Sequence, residues 1–256
     1  KRVLSQMNKM MKENKIEQWE EIRKAWLKQI QEWRNEKPLS YTYHDDVIKP
    51  QYVVERIYDI TGGDAIITTE VGQNQMWAAQ FFKFNKPRRW ITSGGLGTMG
   101  YGFPAAIGAQ IANPNSLVID IAGDGSIQMN IQELATAVIY KLPVKVAILN
   151  NRYLGMVRQW QELFFHERYS HTHLDVVPDF VALAKAYNAV GLRAEHPSEV
   201  DAVLKEAFKI KQPVLMDFVV DWKEKVYPMV PAGATLDNML FEEKEKKQDK
   251  KLRAVK

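Results

Sequence analysis

The chain contains no cysteine. That excludes a disulfide framework, a thiolate metal site and cysteine catalysis, and it suits a reducing compartment. No apolar run approaches the ~18 residues of a membrane-spanning helix. The opening stretch, KRVLSQMNKMMKENK, is basic but has no apolar core, so it does not read as a signal peptide. The first residue is Lys1 rather than Met, and the chain reads as a piece of a longer protein or a processed product. A basic body is lacking as well. The formal net charge is +4, yet residues 1–37 hold ten Lys/Arg against six Asp/Glu, and residues 242–256 hold seven against four. The two ends thus carry +4 and +3, leaving −3 on residues 38–241. A nucleic-acid reader needs positive charge on its folded surface, and this body does not supply it.

What is present is a 256-residue chain, 46% hydrophobic, enough to bury a sizeable core in one large domain with appendages. Residues 17–36 predict an amphipathic helix, because Trp19, Ile22, Trp26, Ile30 and Trp33 recur at steps of three and four. Pro38 stops it. A tryptophan stripe of this spacing reads as a surface packed on a neighbouring domain rather than a ligand cage. LSYTYHDDVIKP reads as a linker, with Asp45 and Asp46 as its charges, and a second helix runs from Pro50 to Gly62 and Gly63.

From there strand and helix signals alternate. Strands are expected at 65–69, 89–92, 117–122, 144–149 and 214–220. Helices are expected at 74–83, 104–112, 130–141, 154–165, 178–188 and 198–210. LVIDIA and VKVAIL are near-continuous apolar runs, the pattern of strands buried on both faces. The expected fold class is therefore α/β, an open parallel sheet with helices on both faces. Right-handed crossovers bring the strand C-termini, and the ligand, to one sheet edge. The last fifteen residues, EEKEKKQDKKLRAVK, read as a solvated, disordered tail.

Two glycine motifs compete for the ligand. Gly95-Leu-Gly97-Thr-Met-Gly100 follows a strand and precedes a helix, and Asp120 lies twenty residues past Gly100. That is the dinucleotide fingerprint with its ribose-binding acid, although a lone G-x-G-x-x-G also serves as a simple tight turn. Gly123-Asp124-Gly125-Ser126 is paired with Asn150-Asn151, with twenty-four residues between Gly125 and Asn150. One helix and one strand fit in that interval, so both loops return to the same edge. Neighbouring strands lie ~4.8 Å apart, which lets a carboxylate and an amide oxygen converge on one cation. A single carboxylate with few oxygen ligands suits Mg²⁺, which leaves room for phosphate oxygens and water. Glycine allows backbone to approach a diphosphate beside a helix N-terminus. His166, His171 and His173 lack an acidic or cysteine partner set and read as structural.

GDGS and ILNN together resemble the diphosphate-binding motif of thiamine-diphosphate enzymes. TTEVGQNQMWAAQFF, ITSGGLGTMGYGFPAAIGAQIA, NNRYLGMVRQWQELFFHERYSHTH and YPMVPAGATLDNML extend the likeness. In this order they resemble the C-terminal third of the catalytic subunit of the acetohydroxyacid synthase (acetolactate synthase) family. The resemblance covers about residues 40–241. It divides the chain into a helical segment, 1–38, from the end of a middle domain, a cofactor-binding domain, 39–241, and the tail, 242–256.

The resemblance implies roles for matching positions. Asp124 and Asn151 would hold Mg²⁺ through side chains and Tyr153 through its carbonyl. Gln73 and Asn74 would touch the diphosphate, together with Gly123, Gly125 and Ser126; the family often has His where Asn74 stands. Gly97 and Met99 would present backbone to the aminopyrimidine, and Met129 would hold the cofactor bent. The bent form brings an internal base to the reactive carbon at high effective molarity. Met156 and Trp160 would border the substrate and herbicide pocket. The implied reaction joins pyruvate to a second 2-oxo acid, pyruvate or 2-oxobutyrate, with loss of carbon dioxide, as the first common step of branched-chain amino-acid biosynthesis.

The same family places its activating glutamate in an N-terminal domain of the partner subunit and binds a non-redox FAD mostly through the middle domain. No stretch of this chain resembles that glutamate segment, so no catalytic residue is assigned here. Glu70, at the end of the first strand, is the one local rival. A homodimer or tetramer, a regulatory subunit and a cytoplasmic or organellar location follow from the same likeness. Other readings remain: a different thiamine-diphosphate carboligase or decarboxylase, a non-catalytic binding fragment, and an NAD domain built on Gly95–Gly100.

Overall fold

The computed structural model describes residues 1–14 and 17–241. They divide into two compact units, residues 1–40 and residues 41 onward. The first unit contains α1 (Arg2–Glu13) and α2 (Glu17–Glu36). α2 stops just before Pro38, whose ring cannot continue a helix. Ile22, Trp26 and Trp33 are exposed in this unit, and the two indoles meet edge to face at 5.5 Å. The side chain of Trp19 and the charged tail lie outside the described residues. α1 was not expected. Its Val3, Leu4, Met7, Met10 and Met11 do recur at helical spacing, interleaved with basic and polar residues.

The second unit begins with α3 (Pro50–Thr61), which ends on Gly62 in the left-handed region. It continues as β1 (Ile66–Thr69), α4 (Gln73–Phe81), β2 (Trp90–Thr92), α5 (Gly102–Ala112) and β3 (Val118–Gly123). Then come α6 (Asp124–Ile127), α7 (Leu134–Ile139), β4 (Lys145–Asn150), α8 (Gly155–Phe164) and α9 (Phe180–Ala186). β5 (Val190–Ala194), α10 (Pro197–Lys209) and β6 (Val214–Val219) close it. The six strands form one parallel sheet in the order β2-β1-β3-β4-β6-β5.

Strand periodicity sorts the core into two layers. Ile119 and Ile121 of β3, with Ala147 and Leu149 of β4, pack under α3, α4 and α10. Val118 and Ala122, with Val146 and Ile148, pack under α5, α7 and α9. Both faces of the central strands are covered, which explains their continuous apolar runs.

Two expectations need correction. The helix expected at 130–141 is a 3-10 turn over Ile131–Glu133 followed by the short α7, and the separate α6 precedes them. Asn130 causes the break: it leaves the helical region at φ −136° and donates its Nδ2 to the Gly100 carbonyl at 2.7 Å. β5 was missed, because VGLRA is short and contains Gly and Arg; it is an edge strand, where such residues are tolerated.

Lys145, at the start of β4, is buried, and its Nζ donates to the carbonyls of Ile210 and Gln212 at 2.7 and 2.8 Å. A neutral amine has two N–H groups, enough for these two acceptors. Burial, aided by the Lys211 charge, pushes this amine down to about 7. The unfolded chain therefore binds one more proton than the folded chain between that value and ~10.4. Stability should rise with pH across this window, by at most ~1.4 kcal/mol per unit, and fall as pH drops to 7. Lys145→Met should flatten the slope, as measured by denaturant unfolding at pH 7, 8 and 9.

Candidate functional site

The carboxyl edge of the sheet opens on a cleft of about 230 Å³. Its walls come from the loops after β1, β2, β3 and β4, as a parallel doubly covered sheet requires. β3 and β4 are direct neighbours, with Gly123 opposite Leu149. The first residue past β3 is Asp124 and the first past β4 is Asn151, so both enter the cleft side by side.

Asp124 is buried. Its carboxylate accepts backbone N–H groups from its own residue, Gly125 and Arg152, so the two loops touch. Oδ2 has no partner. Burial, the dominant influence, pushes this carboxyl up to about 7. A buried, unpaired anionic oxygen is costly unless something positive meets it. The Asn151 Oδ1 accepts the Tyr153 N–H at 3.0 Å, which leaves its second lone pair. Arg152 turns the loop through φ +59°, and Tyr153 then pairs with His173 in an isolated antiparallel bridge. These oxygens suit a small divalent cation.

Gln73, Asn74, Gly97, Met99, Gly123, Gly125, Ser126, Tyr153 and Met156 also line the cleft. The side-chain donors of two of them are spent elsewhere. Asn74 Nδ2 donates to the Glu70 and Ile121 carbonyls at 3.1 and 2.9 Å. Gln73 Nε2 donates to Gln159 Oε1 at 2.9 Å and to the Glu224 carbonyl at 3.2 Å. What these residues offer an anion is the backbone of the first turn of α4. Ser126 Oγ bonds the Gly123 amide and carbonyl, both at 3.2 Å, and closes its own turn. Gly155 opens α8 where any Cβ would strike the Gln73 and Asn151 amides.

Met129 follows α6. It does not line the cleft and is 53% exposed. Its Cβ packs against Gly100, because the Asn130–Gly100 bond turns this segment past the loop. Met99 is the methionine of the two that reaches the cleft wall. Trp160 lies outside the cleft as well. It lines an adjoining hollow of about 450 Å³ with Met156, Val157 and Phe165, and its ring meets Phe164 edge-on at 5.7 Å. Met156 and Val157 border both spaces.

The competing motif loses its acid. Asp120 sits inside β3, fully buried, with Thr68 Oγ1 donating to it at 3.0 Å, so it cannot reach a ribose. The histidines form no metal set: among the described residues no group of three His, Asp or Glu side chains could hold an ion. His173 instead pairs with Asp175 at 2.6 Å.

The family described as the thiamine pyrophosphate enzyme, C-terminal TPP binding domain, matches residues 70–218. The chain belongs to this family. Curated relatives agree in kind. An Escherichia coli acetolactate synthase isozyme 3 large subunit is 48% identical over 250 residues, 96% of this chain and 43% of that protein. The mitochondrial acetolactate synthase catalytic subunit of Saccharomyces cerevisiae is 49% identical over 239 residues, 90% of this chain and 34% of its own. The chloroplastic acetolactate synthase 2 of Zea mays is 44% identical over 225 residues, covering 85% and 35%. The chain spans less than half the length of each.

Within this TPP-binding domain, sequence reasoning missed Gln159. It is fully buried; its Oε1 accepts from Gln73 and, at 2.8 Å, from the Val226 N–H, while its Nε2 donates to the Val226 carbonyl at 3.0 Å. Asn151 Nδ2 donates to Gln73 Oε1 at 3.2 Å, so one amide chain links the cleft to the segment after β6. The only signal was a polar residue one helical turn after Gly155. Gln159→Leu keeps the volume but strands the Gln73 and Val226 groups. It should cost about 1–3 kcal/mol of unfolding free energy, read by chemical denaturation.

Proposed function

We propose that this domain binds Mg²⁺ and thiamine diphosphate and forms the cofactor-binding half of an acetolactate synthase active site. The observation that carries the reading is the unpartnered buried Oδ2 of Asp124, beside the Asn151–Tyr153 turn in a TPP-binding domain. Asp124 and Asn151 would hold the cation through side-chain oxygens and Tyr153 through its carbonyl. The α4 backbone, Gly123, Gly125 and Ser126 would border the diphosphate, and Gly97 and Met99 the aminopyrimidine. When bound, the thiazolium ring supplies an electron sink for loss of carbon dioxide from a 2-oxo acid. Met156 and Trp160 would border the path of pyruvate and of the second 2-oxo acid, and would meet herbicides there.

No group in the cleft is suited to move the proton that activates the pyrimidine. Among the described residues lining it, Asp124 is the only carboxylate, and the cation claims it. Glu70 is fully buried and its oxygens are taken by backbone N–H groups. The complete enzyme would obtain that glutamate from the N-terminal domain of a second subunit. It would bind FAD mostly through its middle domain, assemble as a dimer or tetramer and meet a regulatory subunit. It would serve branched-chain amino-acid synthesis in bacterial or archaeal cytoplasm, or in an organelle.

Mg²⁺ and thiamine diphosphate should raise the melting temperature of the chain together, and neither should do so well alone. The protein ligands are too few for a dehydrated Mg²⁺, so phosphate completes its shell. Asp124→Ala should abolish the joint shift; a mutant that keeps it would overturn the assignment of Asp124. Stabilisation by NAD instead would favour the other glycine motif.

Residues 1–256 alone should make no acetolactate from pyruvate, since losing a general acid costs ~10²–10⁴ in rate and a wall of the pocket goes with it. The full-length subunit should make it, and a colorimetric product assay with pyruvate plus 2-oxobutyrate would separate this activity from that of another carboligase.

A further inference from the structure

Glu70 is the first residue past β1, and its carboxyl group lies inside the protein. It is fully buried, and so is Asp120 on the neighbouring strand β3. Among the described residues neither forms an ion pair. Two buried carboxyl groups without a positive partner are expensive, so their placement needs a reason.

Glu70 meets the segment between β2 and α5. Its Oε2 accepts the Gly100 N–H at 2.5 Å, and its Oε1 accepts the Phe103 N–H at 3.0 Å. The Gly102 N–H reaches the same carboxylate. Gly102 is pressed so close to Asp120 and the end of β1 that a side chain there would strike both. This one carboxylate therefore fastens the strap that carries Gly97 and Met99 into the cleft. The strap has few other ties: Ser93 holds its start through the Gly97 and Thr98 amides, and Asn130 takes the Gly100 carbonyl. A trans peptide is planar, so fixing the Gly100 N–H also fixes the carbonyl of Met99 on the opposite side.

We propose that Glu70 is the positioning residue for the pyrimidine half of the cofactor, acting through the Gly97–Phe103 strap and touching no ligand itself. Asp120 supports this division of labour. Burial first, and the Glu70 charge second, hold its carboxyl well above the usual range, while both oxygens of Glu70 are held by backbone N–H groups. Burial also raises Glu70, but the three N–H groups oppose it. A charged acceptor for three amides is the stronger anchor.

This inference rests on the thiamine-diphosphate reading, and the test separates the two. Titrate the Mg²⁺-loaded chain, wild type and Glu70→Gln, with thiamine diphosphate and with inorganic pyrophosphate. The amide of Gln turns an N–H donor toward a strap N–H. Glu70→Gln should weaken thiamine diphosphate at least tenfold and leave pyrophosphate within twofold, and Glu70→Asp should restore part of the loss. A wild type that binds neither ligand would sink the functional reading. A mutant that binds both as wild type does, or loses both equally, would sink the role of Glu70 and leave that reading standing. If Glu70→Gln does not fold, hydrogen exchange on the unmutated chain decides. The Gly100 and Phe103 amides must be protected at least a hundredfold over the Gly95 amide, and equal rates overturn the proposal.

Discussion

The parallel pairing of β3 with β4 is the constraint on which the site depends. Five consecutive residue pairs, ending at Gly123 and Leu149, hold the two strands in register. Both faces are covered by helices, so a slip by one residue would exchange the two apolar layers and is forbidden. Asp124 and Asn151 are each the first residue beyond these strands. Their separation is inherited from the ladder rather than from the loops that carry them. The placement of these two oxygen-bearing side chains is thus supplied by the hydrophobic core.

That edge also gathers polar groups that would be costly elsewhere in an interior. Several are bonded to backbone, to another amide or to a charged side chain. Asn150 donates to Asp217 at 3.0 Å, and Arg193 meets the other oxygen of Asp217 at 3.0 Å. The two adjacent asparagines therefore divide their work, Asn150 bracing β4 against β6 and Asn151 facing the cleft. Gln73 and Gln159 join α4 to α8, and Glu70 joins β1 to the strap before α5. Of the buried side-chain atoms without a partner, the Oδ2 of Asp124 is the carboxylate oxygen on the cleft wall, where a positive charge would be best received. The bonded amides brace the cleft, and the unpartnered carboxylate oxygen makes it receptive to positive charge.

The open hollow beside the cleft has a different character. Trp160, Val157 and Phe165 remain partly exposed there, next to Met156, which serves both spaces. Large apolar side chains on α8 are where a neighbouring surface or an apolar ligand would gain most from burial. The end of the cleft at Asp124 is closed by this chain's own residues, and the hollow is its open side.

Much of this was legible without coordinates. Two apolar runs, each ended by a short polar motif, determine buried parallel strands and the edge on which Asp124 and Asn151 meet, because chain direction and crossover handedness leave no other arrangement. Tertiary structure alone decided which of two methionines faces the cleft. Met99 lines it, and Met129 is exposed beside Gly100. It alone showed that Asp120 is interior and that Glu70 spends its charge on amides thirty or more residues away. Local sequence records what a side chain is able to do. Which partner it meets depends on contacts between segments far apart in the chain, and these exist only once the sheet has closed its register.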